Sequence, residues 1–460
     1  MALQRGVSFV VSMILARLIA PEAYGTIGLV VVITTILKVF VESGFGASII
    51  HGKEVDEIDY STVFIFNGVF CIILYILLFF ASPALGRFYD MPEIVSVFRI
   101  LGLSIVISAF STVPMAINNR VMNFRNIFIA SLSGSITSAI VGITMAYKGY
   151  GVWALVAQDL INSFVSMIII WLFTKKFKLV FKKDRFVVLF KYGWKILFVN
   201  LYEKTFANLR ALLIGKIYSP TDLAYYDKGG KIPDFFVAII DSTINSVFFP
   251  VLSKEQSDES NLLKLTRLTI RFSAFIIFPI MGYIAVCSKS IVVFLLTEKW
   301  LPIIPYFRIA CISSGIAMIG STNLNTFKAL KSGNAYLYIN IIAKIVALVL
   351  LVLSLSYGPV GIAWSMAISY ALCEMIYAIA NKKLLSYGFR RQIMDIVPFL
   401  VITILTMVSV SWIPKFVGSH FFVIAFSGIL GLGVYMALAK LFKVKELDIV
   451  LNVVLNKKEG

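Results

Sequence analysis

Charged residues are scarce in this chain. Asp, Glu, Lys and Arg together make up 14% of the 460 residues, whereas apolar residues make up 59%. A water-soluble protein of this length needs far more polar surface to cover its apolar interior. Together with a mean hydropathy of +0.91, this composition excludes a soluble globular protein and indicates a protein whose main solvent is lipid.

Acidic residues, cysteines and histidines are especially few. The 42 Lys and Arg residues outnumber the 24 Asp and Glu residues, which gives a net charge of +18. The basic residues lie in short connectors and not on a face with aromatic stacking platforms, which favours membrane lipid headgroups over nucleic acid as their partner. The four cysteines lie inside apolar segments without paired spacing, and the two histidines are far apart. We therefore predict no disulfide frame, no metal site and no cofactor.

Apolar segments long enough to cross a membrane recur along nearly the whole chain. They predict an all-α polytopic membrane protein of about 14 transmembrane helices. Alternate connectors are rich in Lys and Arg, which predicts an even number of spans with both termini in the cytoplasm. The predicted spans lie near residues 3–19, 26–50, 61–82, 94–117, 127–147, 151–173, 193–217, 231–252, 266–288, 303–327, 335–356, 360–381, 395–412 and 421–440.

Short motifs recur in the same order at a separation of about 200 residues, which indicates an internal duplication. Residues 16–21 match residues 215–220, and Phe98-Arg99-Ile100 matches Phe307-Arg308-Ile309. Six spans separate equivalent points, so the two copies should be parallel repeats related by an axis along the membrane normal. The predicted domains are an N-terminal six-helix lobe at 1–174, a basic cytoplasmic linker at 175–192, a C-terminal six-helix lobe at 193–381, and two extra helices with a cytoplasmic tail at 382–460.

Polar side chains form stripes on several predicted spans. At 100° per residue, the polar residues of the seventh span fall within an arc of roughly 160°, and the second and eighth spans carry similar stripes. Charge inside a membrane usually faces a bundle interior or an aqueous cavity. Cations in such a cavity would attract an anion such as a phosphate, while carboxylates could neutralise them or exchange a proton or sodium ion. Interhelical salt bridges are the alternative interpretation for each of these residues.

Two candidate sets follow from these stripes and from the duplicated arginine. The predicted substrate-binding residues are Lys38, Arg99, Asn200, Lys204, Asn208, Arg210 and Arg308. The predicted ion-coupling residues are Glu42, Glu203, Asp234 and Asp241. Whether a proton gradient, a sodium gradient or no gradient drives the protein stays open.

Seven motifs in order carry a resemblance to a known family: ILARLIAPE at 14–22, ESGFGA at 42–47, DYSTVF at 59–64, YGVWALVAQ at 150–158, LIGK at 213–216, FPVLS at 249–253 and EKW at 298–300. With these motifs the chain resembles the polysaccharide flippases of the Wzx type, in the multidrug/oligosaccharidyl-lipid/polysaccharide flippase superfamily. Two departures are that the N-terminus looks about 20 residues shorter than is usual in the family, and that relatives often carry a different polar residue where Arg210 stands.

The resemblance implies a function. Such proteins are not enzymes; they move undecaprenyl-pyrophosphate-linked oligosaccharide across the bacterial cytoplasmic (inner) membrane by alternating access, for O-antigen, capsule or exopolysaccharide assembly. The lipid-linked oligosaccharide is then the substrate, and a polysaccharide polymerase and chain-length proteins are candidate partners. Three alternatives remain: a drug or metabolite exporter of the same superfamily, a lipid II flippase, and a membrane glycosyltransferase or polymerase.

Overall fold

The computed structural model describes residues 2–42, 45–51, 55–254, 258–329 and 333–449. All regular secondary structure within these ranges is helical, with short 3₁₀ turns at Glu298–Ile303 and Leu355–Tyr357. The α-helices are α1 (Ala2–Leu18), α2 (Pro21–Glu42), α3 (Phe45–His51), α4 (Glu57–Phe88), α5 (Ile94–Leu101), α6 (Leu103–Arg120), α7 (Phe124–Tyr147), α8 (Val152–Phe173), α9 (Lys183–Ile217), α10 (Pro220–Lys254), α11 (Glu259–Val286), α12 (Ser288–Leu296), α13 (Ile304–Ala329), α14 (Gly333–Ser354), α15 (Gly358–Leu385), α16 (Phe389–Val410), α17 (Ile413–Phe416) and α18 (His420–Leu441).

The predicted class of fold is confirmed. Ten helical stretches among the described residues are long and apolar enough to cross a membrane, and one of them, Tyr336–Lys382, covers most of α14 and of α15. The 35-residue helices α9 and α10 are not among the ten, because their polar stripes lower their hydropathy. The protein is thus an all-α polytopic membrane protein, while the count of about 14 spans stays a prediction.

Several predicted spans differ from the helices in their boundaries. The segment predicted as one span at 26–50 forms α2 and the short helix α3, and the segment at 94–117 forms α5 and α6, which meet at Gly102. A β-carbon at Gly102 would lie 2.7 Å from the carbonyl oxygen of Phe98 and 3.1 Å from Leu78. Close packing at this junction therefore excludes a side chain, a constraint that hydropathy cannot reveal.

The chain forms two compact units, Met1–Ala224 and Tyr225–Gly460. In the first unit, α7 packs against α8, and α2 packs against α6, α8 and α9. In the second unit, α13 and α14 pack against α15, and α11 packs against α13 and α16. Helix α9 thus lies in the first unit, whereas the division into lobes at 174 and 193 rests on the sequence repeat and stays a prediction.

The repeated motif at 16–21 and 215–220 has the same local structure in both copies. Each copy ends one helix and begins the next at a proline, Pro21 for α2 and Pro220 for α10. Proline suits the first position of a helix because the N–H that it lacks would have no helical partner there. The two copies meet within the first unit, where a β-carbon on Gly25 would lie 1.7 Å from the carbonyl oxygen of Pro220.

The basic linker predicted at 175–192 lies along the start of α4. The backbone N–H of Lys182 donates to Thr62 Oγ1 at 3.3 Å, and Phe177 packs edge-on against Phe64. Arg185, in the first turn of α9, pairs with Asp56 across 3.2 Å. The linker's described lysines are exposed, so the segment presents a row of positive charge beside the first unit's spans.

Candidate functional site

A cluster of charged side chains lies among α2, α6, α8 and α9 of the first unit. We call Lys38, Glu42, Asp159 and Lys204 the first-unit charge cluster. Lys38 Nζ lies 3.9 Å from Asp159 Oδ2, with 18% and 39% of the two side chains exposed. Glu42 hydrogen-bonds Ser108 and interacts electrostatically with Lys38 and Lys204. Lys38 is therefore near two carboxylates, and Lys204 shares one of them, Glu42, with it.

Helix periodicity explains why these side chains meet. Lys38 and Glu42 are four residues apart and thus lie on one face of α2. That face packs against α9, which carries Lys204. Three of the eleven predicted site residues, Lys38, Glu42 and Lys204, are thereby brought together.

A polar cavity of about 210 Å³ lies beside this cluster, between α1, α7 and α8. Asp159 belongs to both the cavity and the cluster, because it lines the cavity and also faces Lys38. The lining residues are Ser8, Val11, Ser135, Ser138, Gln158, Asp159 and Asn162. Hydroxyl, amide and carboxylate groups of this kind can hydrogen-bond water or the hydroxyls of a sugar.

The other predicted residues of α9 differ in exposure. Arg210 is buried, with 8% of its surface exposed, whereas Asn200 is half-buried and Glu203 is exposed. Asn208 donates through Nδ2 to the carbonyl oxygen of Lys204 at 2.8 Å. This amide therefore bonds its own helix, one turn back from its position.

The duplicated arginines make equivalent contacts in the two units. Arg99 Nε donates to Ser82 Oγ at 3.3 Å in the first unit, and Arg308 Nε donates to Ser288 Oγ at 3.0 Å in the second. Arg99 also stacks over the ring of Phe79 at 4.4 Å. Both arginines thus hold a serine on a neighbouring helix, and their assignment to a phosphate site stays a prediction.

The predicted acids of the second unit lie on α10 in separate surroundings. Asp241 Oδ1 accepts a hydrogen bond of 3.0 Å from Ser321 of α13. Asp234 is exposed and lies one turn from Lys231, whose Nζ is 3.4 Å from Asp227. The polar stripe predicted for the eighth span also includes Asn245, whose side chain lies outside the described residues.

Sequence reasoning missed Asp159. This residue directly follows the motif at 150–158 and lies within an apolar span, so a carboxylate at membrane depth was the available signal. Its contact partner Lys38 is more than a hundred residues away. The periodicity of a single helix cannot reveal such a contact.

The architecture can be compared with that of solved structures. Despite sequence identities of 16% and 15%, the fold matches solved structures of membrane transporters. The lipid II flippase MurJ in an inward closed conformation matches with a TM-score of 0.77, covering 96% of this chain and 97% of that chain. A multidrug resistance MATE family transporter of the MOP superfamily, inward-facing, matches with a TM-score of 0.63, covering 83% of this chain and 94% of that chain. The chain therefore shares the fold of these two solved structures.

The sequence defines the family. Residues 14–305 match the family described as polysaccharide biosynthesis protein, and the chain belongs to that family. The family-level resemblance drawn from the seven motifs is therefore confirmed.

Curated relatives have related names. The succinoglycan biosynthesis transport protein ExoT of Rhizobium meliloti is 20% identical over 71% of this chain and 67% of its own length. The teichuronic acid biosynthesis protein TuaB of Bacillus subtilis is 23% identical over 63% of this chain and 61% of its own length. The lipopolysaccharide biosynthesis protein WzxC of Escherichia coli is 21% identical over 69% of this chain and 65% of its own length. The matches thus span between three fifths and about two thirds of these relatives.

Proposed function

We propose that the protein is a flippase that moves an undecaprenyl-pyrophosphate-linked oligosaccharide across the bacterial cytoplasmic membrane by alternating access. The polymer assembled from it would be an O-antigen, a capsule or an exopolysaccharide. Membership of the polysaccharide biosynthesis family and the transporter fold support this proposal. In this proposal the protein translocates its substrate and does not make or break covalent bonds.

The observation that carries the proposal is the first-unit charge cluster. Lys38 lies on the apolar helix α2 and Lys204 on the polar stripe of α9. Among the described residues, Lys38 lies 3.9 Å from Asp159, and both lysines interact electrostatically with Glu42. A pyrophosphate group carries more negative charge than either carboxylate and offers more oxygens to an ammonium group. It can therefore displace the carboxylates and take over the lysines, while the polar cavity beside Asp159 offers groups suited to sugar hydroxyls.

The membrane topology belongs to the same proposal. Both termini lie in the cytoplasm, and the exposed lysines of the linker face the anionic headgroups of the inner leaflet. A polysaccharide polymerase and chain-length proteins would receive the flipped substrate on the outer side.

An exporter of cationic drugs fits the cluster less well. A cationic substrate binds best in an acidic cavity. Lys38 and Lys204 would repel a cation unless Glu42 and Asp159 were both available to bind it. A membrane glycosyltransferase or polymerase would have to bind the same lipid-linked sugars and also perform chemistry on them. An assay that separates substrate movement from polymerisation distinguishes these functions.

The proposal is tested in a bacterium that lacks its own oligosaccharide flippase but retains its polymerase. Expression of the protein should restore surface polysaccharide and drain the lipid-linked oligosaccharide that accumulates on the inner leaflet. Lys204→Glu should abolish both effects, because it replaces an attractive charge with a repulsive one beside Glu42.

Lys176→Glu is the matched control, because it makes the same charge change on the exposed linker. We expect it to retain most of the polymer at equal protein level. Full polymer from Lys204→Glu would contradict the assigned role of the cluster. An undrained precursor pool with the wild-type protein, tried with several donor glycans, would contradict the flippase proposal itself.

A further inference from the structure

A second polar cluster lies in the second unit, apart from the residues assigned above. It consists of Asn323 on α13, Glu374 and Asn381 on α15, and Gln392 on α16, and we call it the second-unit amide cluster. Each of these residues is at most 9% exposed. Four buried polar side chains from three helices therefore meet inside a predominantly apolar unit.

The amide groups of Asn323 and Gln392 form the centre of this cluster. Asn323 Nδ2 donates to Gln392 Oε1 at 2.9 Å and also to Glu374 Oε1. Asn323 Oδ1 accepts from Asn381 and, at 3.1 Å, from Gln392. The second hydrogen of Gln392 Nε2 goes to the carbonyl oxygen of Tyr387 at 3.2 Å. Both amide nitrogens are thus fully committed, since each has two hydrogens to donate.

One carboxyl oxygen of Glu374, Oε2, has no partner in this network. No described residue hydrogen-bonds Glu374 Oε2, although the atom is buried, and no described Lys or Arg pairs with the carboxyl group. Oε2 points toward Gly320, where a β-carbon would lie 3.1 Å away. Burying an ionised carboxylate without a counter-charge is so costly that such a group usually binds a proton instead.

Asp395, in the same unit, is a buried carboxylate that does have counter-charges. It accepts two hydrogen bonds of 2.6 Å from Arg267, one of 3.2 Å from Arg271 and one of 2.9 Å from Tyr387. Glu374 accepts only a neutral amide. The two carboxyl groups are similarly buried, so the absence of a cation at Glu374 among the described residues distinguishes them.

Within the described part of the chain, no basic residue pairs with Glu374 or acts on it electrostatically. The ionisable groups around Tyr377, one turn along α15 from Glu374, are a thiol and phenols, and the arginines of α11 are already bound to Asp395 of α16. On α13 the facing residue is the amide Asn323. The groups concerned are Cys373 and Tyr377 on α15, Tyr336 on α14, Asp395 on α16, and Arg267 and Arg271 on α11.

We propose that Glu374 is a proton-binding site, neutral while α13, α15 and α16 are packed as described here. Separation of these helices would admit water, and the carboxyl group would then release its proton to that water and become a carboxylate. The protonation itself does not depend on the proposed function. A role in driving transport does rest on it, because each cycle of opening would then move one proton.

The proposal is tested by infrared difference spectroscopy on the full-length protein in lipid nanodiscs. We expect a carboxylic acid C=O band at neutral pH that disappears in strong alkali. Glu374→Gln, which preserves the size and polarity of the side chain, should lack this band. Glu298→Gln is the control, because Glu298 is exposed and should contribute no such band.

Three results would overturn the proposal: no carboxylic acid band in the wild-type protein at neutral pH, an identical band in Glu374→Gln, or a band that vanishes when sodium replaces choline at constant pH. The last result would assign the site to sodium. If Glu374→Gln does not fold, the wild-type protein can instead be prepared with isotope-labelled glutamate. The carboxylic acid C=O band must then shift in frequency, and an unshifted band would overturn the proposal. Neither spectrum requires transport, so a failed flippase assay leaves the protonation test intact.

Discussion

The two units hold their charged side chains in opposite ways. In the first unit, Lys38 and Asp159 are 3.9 Å apart and partly exposed. In the second unit, Arg271 binds Glu446 at 2.5 Å and Asp395 at 3.2 Å, and the two carboxylates are 3% and 4% exposed. Loose, hydrated pairs can change partners at little cost, whereas buried bidentate pairs cannot. The comparison indicates that the first unit offers charge to a substrate and that the second unit uses charge to join its helices.

The largest effect is expected where the two sequence repeats meet. Gly25→Ala would place a β-carbon 1.7 Å from the carbonyl oxygen of Pro220, so α2 and α10 must separate. Ala224 stands at the equivalent position of the second repeat, four residues after Pro220, which shows that the requirement for glycine is not shared. We expect a loss of stability of about 3 kcal/mol or more, measured by thermal unfolding in detergent.

Gly28→Ala is the control for this variant. A β-carbon at Gly28 would lie 4.0 Å from Leu223, an ordinary van der Waals contact. Equal stability of the Gly25 and Gly28 variants would refute the close approach of the two repeats.

The fixed charges of the second unit provide the next test. Arg271→Met would leave Glu446 buried without its partner, and we expect a loss of about 3 kcal/mol. Lys216→Met removes a comparably short pair in the first unit, where Lys216 lies 3.0 Å from the 82% exposed side chain of Asp90. Its expected cost is below about 1 kcal/mol. Similar shifts in the unfolding temperatures of the two variants would remove the contrast between the units.

Helix caps allow a matched comparison between the units. Asp56 begins α4 and Asp258 begins α11, and each accepts hydrogen bonds from two backbone N–H groups at 2.9 to 3.0 Å. Asp56→Ala and Asp258→Ala should each cost about 1 kcal/mol. The corresponding Asn variants should lose less, because they keep the accepting oxygen. A cap variant that matches the wild type in thermal unfolding would argue against that cap.

Asp56 also predicts a dependence on pH. The backbone N–H of Asp59 and the nearby Arg185 hold the pKa of Asp56 below its usual range. A lowered pKa in the folded state stabilises the protein above the ordinary pKa of about 4, and this stabilisation is lost as the pH falls through the folded value. The stability gap between wild type and Asp56→Ala should therefore narrow in acid. A constant gap would show that the charge of Asp56 contributes nothing.

The duplicated arginines give a further comparison of the two units. Arg99→Lys and Arg308→Lys keep the charge but remove the Nε–H that binds Ser82 or Ser288. Each should cost about 1 kcal/mol, and the two costs should be similar. If either variant lost most of the surface polymer while its free energy of unfolding changed by only about 1 kcal/mol, the result would instead favour the predicted phosphate contact.

The helical membrane fold could be predicted because apolar length is a property of local sequence. The repeat could also be predicted, since both copies begin a helix at a proline, Pro21 or Pro220. The junction at Gly102 could not, because it depends on atoms of α4 that approach from far along the chain.

The candidate site was predictable only in part. Lys38 and Glu42 were found from their spacing on α2, and Lys204 from the stripe on α9. Asp159 and Glu374 were missed because each is the only carboxylate in its described helix, with just amide, hydroxyl or thiol groups on the same face to mark a polar stripe. Their partners, Lys38 and Asn323, lie on other helices, so only the packing of the folded chain identifies them.

The most direct test of the central claim is a flipping assay with purified protein in vesicles that contain undecaprenyl-pyrophosphate-linked oligosaccharide. A glycosidase outside the vesicles reports how fast the inner pool becomes accessible. We expect rapid access with the wild-type protein and with Lys216→Glu, and no access above that of empty vesicles with Lys204→Glu. Wild-type protein no faster than empty vesicles, or Lys204→Glu as fast as wild type, would contradict it.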